Sequence, residues 1–220
     1  MKPVIKTLLL FVAITIVACN KPIEEIKGFD YGKVENNQYT NKFFEIKVNV
    51  PKGWNVQSEA ENKQLMKDGA EMAAGNNAAM EKTLKAAEVN SANLLTVFKH
   101  DPKAPPAGQY NPNYLMLAEN LRNIPGVTTG ADYLAQNKKV MEASQMPFTH
   151  IDSDFKKRDI NGIEFYEMKA TMDIQGIKVQ QVYLATIKDK FALGVVYSYM
   201  TEAEKAELEK YISSIDTFKG

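Results

Sequence analysis

The chain has 220 residues, 45% hydrophobic, 25% charged and 10% aromatic, the profile of a globular protein rather than a disordered, collagenous or multi-span membrane chain. Its 27 Lys and Arg balance 27 Asp and Glu with no basic block, so nucleic acid is not an expected partner. One Cys and two His exclude an internal disulfide scaffold and a zinc centre of the Cys/His type, and no cofactor is expected.

Lys2 and Lys6 precede twelve uncharged residues, Thr7 to Ala18, the order of charge and apolarity found in a signal peptide. The run is shorter than the ~20 residues with which a helix crosses a bilayer. At its end, Ile16-Val17-Ala18-Cys19 resembles the lipobox of bacterial lipoprotein precursors: a branched residue, a small residue before the cut, and Cys after it. The resemblance implies that residues 1–18 are removed and that Cys19, as the new first residue, carries palmitate-type acyl chains. Two or three chains hold a protein far more firmly than one, because each buried methylene contributes ~0.8 kcal/mol. Cleavage there removes Lys2 and Lys6 and no acid, so 25 basic and 27 acidic residues remain, a net −2. Asn20, in place of the Asp that retains some lipoproteins at the inner membrane, favours the outer membrane; Glu24 and Glu25 leave a surface-export tag open as an alternative.

Residues 19–38 are polar and glycine-bearing without a sustained period, which predicts a flexible tether, with one folded domain over 39–220. Phe44, Ile46, Val48 and Val50 alternate with polar residues and predict a strand; Pro51-Lys52-Gly53 turns it, so that Trp54 to Ser58 returns as a second strand. Glu59 to Val89 predicts two helices joined loosely near Gly75 to Asn77. Asn93 to Lys99 predicts a strand and Asp101 to Asn113 a proline-rich loop; the short apolar run Tyr114 to Leu121 fits helix or strand, and its flanking Pro and loop residues favour strand. Thr129 caps a helix whose inner face is Tyr133, Leu134, Asn137, Val140 and Met141. Phe155 to Ser198, punctuated by Asn161-Gly162, Gln175-Gly176 and Lys188-Asp189-Lys190, predicts a four-strand antiparallel meander. Thr201 and Glu204 form a capping box for a last helix lying over one side of the sheet. The sum is an α+β domain, a largely antiparallel sheet covered by helices.

The string from Phe44 to Trp54, the Asn161-Gly162 turn, the meander and the closing helix with Ile212 to Phe218 resemble the PsbP-like superfamily over about residues 39–218. That family comprises α/β/α sandwiches: an extrinsic photosystem II subunit, a Ran-binding nuclear import factor and many bacterial lipoproteins. The lipobox separates this chain from the eukaryotic members, so neither photosynthesis nor nuclear transport carries over. The resemblance implies a binding or assembly module without catalysis, held to the membrane by its lipid and meeting a protein partner in the envelope.

Three groups of residues could hold a ligand. His150, Asp152 and Asp154 alternate, so in an extended chain all three would face one side and grip a divalent cation; the plainer reading is a polar loop entering an edge strand. Glu119, Asn120 and Arg122 cluster at a strand end, where a planar guanidinium binds a carboxylate or phosphate with two prongs; the plainer reading is a surface ion pair. His100-Asp101 reads as a turn. Nine methionines after Met1 are scattered as gap-fillers rather than packed as copper ligands, and Phe43, Phe44 and Trp54 read as core anchors. The alternative to an assembly module is a carrier or sensor, with a small ligand or metal held between the Glu59 to Val89 helices and the sheet.

Overall fold

A computed structural model of the chain describes residues 22–106 and 109–218. Twelve strands and four α-helices follow in order: β1 (Lys33–Glu35), β2 (Gln38–Asn41), β3 (Ile46–Asn49), β4 (Asn55–Val56), α1 (Glu59–Ala74), α2 (Ala78–Glu88), β5 (Ser91–Phe98), β6 (Asn113–Asn120), α3 (Gly130–Ala143), β7 (Phe148–Ile151), β8 (Lys156–Ile160), β9 (Ile163–Ile174), β10 (Ile177–Lys188), β11 (Phe191–Tyr199), α4 (Glu202–Ile212) and β12 (Asp216–Thr217). The α+β architecture read from the sequence is the one observed. An eight-stranded antiparallel sheet in the order β4-β5-β6-β11-β10-β9-β7, with β8 also paired to β9, forms the middle layer.

Alternation along these strands dictates the layers, because successive side chains point to opposite faces. Leu115, Leu117, Tyr183, Ala185 and Val196 face α3 and pack with Tyr133, Leu134 and Met141. Tyr114, Met116, Val182, Leu184, Val195 and Tyr197 face the other way, beneath α4 and a second sheet, where they meet Tyr39, Phe44, Ile46, Val48, Leu208 and Ile212. That second sheet has the order β1-β2-β3-β12. The meander closes through two-residue turns in which both residues have positive φ, as at Asn161 (51°) and Gly162 (84°), the geometry that matches strand twist. The capping boxes at Thr129 and Thr201 are both formed, and Ser58 adds a third at α1.

Three expectations are corrected. The described part of the supposed tether, residues 22–38, is folded: Ile23 is 1% exposed, its amide donates to the Val89 carbonyl at 3.0 Å, and Tyr39 donates to the Tyr31 carbonyl at 2.7 Å. Ile23, with Ile26, Phe29 and Tyr31 packed against the same core, overrides the polar composition around it. β4 does not return on β3 as a hairpin but pairs with β5 in the large sheet, while β3 takes β2 and β12 as neighbours. The α1–α2 joint is not loose: the Asn77 side chain accepts from the Ala79 and Met80 amides, and the Gln145 amide donates to the Ala73 carbonyl at 2.9 Å. Ala73, Ala74, Met80 and Leu84 close against Met172 and Val179, and the space left between α1 and the sheet is a cavity of about 220 Å³ lined by Asn62, Lys63, Met66 and Asn93.

Candidate functional site

Cys19 and the segment 1–18 lie outside the described residues. Among the described residues, no helix is long and apolar enough to cross a membrane.

His150, Asp152 and Asp154 are not assembled as a cation site. β7 ends at Ile151, so Asp152 and Asp154 lie beyond the strand and the strict alternation that would align the three is not kept. His150 Nε2 lies 3.0 Å from Asp152 Oδ1, while Asp152 Oδ2 accepts the Lys169 amide at 3.0 Å. Asp152 is thus a backbone clasp for β9, and no group of three or more His, Cys, Asp or Glu suited to a metal occurs among the described residues.

Glu119, Asn120 and Arg122 are parted by the strand they end. Glu119 is fully buried on the helical face, where Tyr133 donates its hydroxyl to Oε2 at 2.7 Å. Burial, and then the Glu119 charge, push the Tyr133 phenol well above its ordinary value, so Tyr133 stays a donor. Asn120 Oδ1 accepts the Arg122 amide at 3.1 Å, and the Arg122 guanidinium lies 5.2 Å from the ring centroid of Phe191, a core residue of the opposite face. The expected two-pronged site is not on one surface.

The other readings hold more simply. Asp101 Oδ1 accepts the Lys103 amide at 2.8 Å, making the turn. Phe44 is buried, and Phe43 and Phe44 meet Phe191 edge to face at centroid distances of 5.3 and 5.4 Å. Met80, Met116, Met141, Met146, Met168 and Met172 are buried in the cores.

The remaining arginine, Arg158 on β8, does more. Its guanidinium reaches Glu167 on β9 at 3.1 Å, Tyr197 on β11 at 3.3 Å and both carboxylate oxygens of Glu209 on α4, while Tyr197 also donates to Glu209. Burial pushes the Glu209 carboxyl up, but the hydrogen bonds from Arg158 and Tyr197 outweigh it and hold the group below its ordinary value. The four residues fasten α4 to the sheet. Arg158 is missed by sequence reasoning because its partners lie on three other elements.

A cleft arises where β9 and β10 part company. Their pairing runs from Ile174–Ile177 to Tyr166–Ala185 and stops; Ile163, Glu164 and Phe165 stay on β8, and Thr186, Ile187 and Lys188 stay on β11. The gap opens a cavity of about 460 Å³ whose floor is Ile46, Met116, Phe165, Leu193, Val195 and Ile215, and whose rim includes Thr128, Thr129, Thr186 and Thr217. The volume falls in the ~300–1,000 Å³ range of small-molecule sites, and an apolar floor with a few polar groups is their usual lining. Each charged residue lining it has a partner: Glu164 takes Lys157 at 2.9 Å, and Lys188 donates to the Phe44 carbonyl at 2.6 Å and to Glu45 at 3.1 Å. Gly130, at the start of α3, stands at the point of parting: a Cβ there would lie 2.1 Å from the Ala185 carbonyl oxygen.

No protein-family profile matches the chain, and no curated protein sequence matches it. Solved structures do. The cyanobacterial PsbP (CyanoP) of Synechocystis sp. PCC 6803 is similar over 85% of this chain and 98% of its own, at 12% identity and a TM-score of 0.50. A protein from Bacteroides thetaiotaomicron VPI-5482 aligns with 84% of this chain at 11% identity and a TM-score of 0.47, and the chain spans half of that protein's length. LpqN, involved in cell envelope biogenesis of Mycobacterium tuberculosis, aligns with 77% of this chain and 78% of its own at 12% identity and a TM-score of 0.40. The likeness to CyanoP shows that the domain shares the PsbP-like fold, an antiparallel sheet with helices packed on it.

Proposed function

We propose that the protein is a bacterial lipoprotein, fixed through acyl chains on Cys19 to the cell envelope, on the outer membrane, where its folded domain serves as a non-enzymatic binding or assembly module for an envelope protein. The observation that carries the reading is the order Lys2, Lys6, apolar run, Ile16-Val17-Ala18-Cys19, with the chain's one cysteine at the position that acylation requires. The fold agrees with a binding role but does not select one. The test is Cys19→Ala followed by cell fractionation and palmitate labelling. The variant should lose the label and leave the membrane pellet; a variant still labelled and still sedimenting with membranes refutes the anchor.

A second reading, a carrier of a small ligand, is favoured by the cleft between β9 and β10, which at about 460 Å³ is roomier than the cavity of about 220 Å³ between α1 and β5. A thermal-shift screen against a pulldown separates the two: a ligand that binds only the folded state raises the melting temperature, whereas a stable protein partner with no ligand response supports assembly.

A further inference from the structure

The cleft and the start of the folded chain lie at the same end of the large sheet. Ile23 is held at Val89, two residues before β5 begins. Along the sheet, Ser91 of β5 is level with Glu119 of β6, Glu119 with Ala192 of β11, and Ala192 with Ile187 of β10, which lines the cleft. Three strand spacings separate Ser91 from Ile187, about 14 Å. Ile23 also belongs to the same inter-sheet core as the cleft floor.

Only four peptide steps lead from Cys19 to Ile23, which span at most about 14 Å. A lipid on Cys19 therefore keeps this end of the sheet close to the bilayer. The mouth adds its own selection: the half-buried Ile163 and Ile187 flank it, Thr186 and Thr217 line it beside Thr128 and Thr129, whose hydroxyls already bond Asp132, and the charged residues lining it are paired. Hydrocarbon is stabilised on such a floor, hydroxyls suit an uncharged or net-neutral head, and a free carboxylate or phosphate would find its cations taken.

We propose that the cleft between β9 and β10 receives an acyl chain of a neutral-headed amphiphile drawn from the bilayer to which the protein is anchored. The bilayer source rests on the Cys19 reading; the acyl-chain chemistry of the cleft does not.

The experiment uses the full processed protein in phosphatidylethanolamine vesicles that carry a phosphatidylethanolamine with a photoactivatable diazirine in one acyl chain. A parallel arm offers a diazirine monoacylglycerol in solution. Labelled peptides are mapped by mass spectrometry, which also reads the state of Cys19. Both arms should label the segments with Met116, Leu193 and Val195, and Ile187→Glu at the half-exposed mouth should cut that labelling on the order of tenfold by placing a charge beside the chain. Val195→Trp, which fills the floor, should do the same, and circular dichroism checks that each variant is folded. Labelling confined to other surfaces, or unchanged by both variants, overturns the proposal; labelling by the monoacylglycerol alone overturns the bilayer source. Because the soluble arm needs no anchor, an unmodified Cys19 would refute the lipoprotein reading and leave the cleft chemistry separately decided.

Discussion

At its turn end, the β9–β10 hairpin is closed: Gln175-Gly176 links the strands, and nine consecutive residue pairs follow from Ile174–Ile177 to Tyr166–Ala185. At the far end the same strands separate and a cavity opens, although Ile163 to Phe165 and Thr186 to Lys188 are no less suited to strand pairing. The difference lies outside the hairpin. β8 holds the first residues of β9, β11 holds the last of β10, and the start of α3 sits at the divide. A pairing register is thus completed by local turns at one end and overruled by tertiary neighbours at the other.

Substitutions can break or sharpen that comparison. The largest expected effect is at Gly130: a Cβ 2.1 Å from the Ala185 carbonyl oxygen must displace backbone, so Gly130→Ala should cost about 3 kcal/mol, the upper range for overpacking, measured by urea unfolding. A loss near zero would mean that α3 and β10 can move apart, and that Gly130 does not set the divide.

Arg158→Met comes next. The Arg158, Glu167 and Glu209 side chains are only 15–27% exposed, so removing the guanidinium should cost about 2 kcal/mol, less than for a fully buried pair because solvent still screens it. The sign with pH follows from Glu209. Its folded carboxyl lies below the ordinary value, so the stability it contributes is present above the ordinary carboxylate range and is lost as pH falls through the folded value. In Arg158→Met the strongest cation facing Glu209 is gone and burial raises its carboxyl. The gap between wild type and variant should therefore narrow in acid, which unfolding curves at neutral and acidic pH would read.

Lys188→Met removes the strap from β10 to the Phe44 carbonyl and Glu45 and should cost about 1 kcal/mol, a charged but partly exposed bond. The smallest change is expected for Arg122→Ala, about 0.5 kcal/mol, the value of an exposed cation over an aromatic ring.

Much of the large sheet is legible in the sequence because its signals are local. Asn161-Gly162 fixes a two-residue turn, alternation in β9 and β10 assigns faces, and Thr129 and Thr201 announce helix starts. The small sheet is not, since β12 has two residues, β1 three, and β3 finds its neighbours through pairings that no turn at Pro51 reveals. Residues 22–38 look like a linker because composition averages over the few apolar residues, Ile23, Ile26, Phe29 and Tyr31, that meet the core. The candidate site fared similarly. Spacing groups His150 with Asp152, which do touch, but does not reveal that β7 ends at Ile151 and leaves Asp154 beyond the strand, nor the geometry that sends Glu119 and Arg122 to different faces. The cleft has no sequence signature, because it exists where pairing stops.

The most direct test of the account is the intact mass of the native protein, with fragmentation of its first peptide. The account predicts a terminus at Cys19 carrying a diacylglyceryl group and an acylated amine. A chain that still begins at Met1, or a processed terminus without fatty acid, would contradict it.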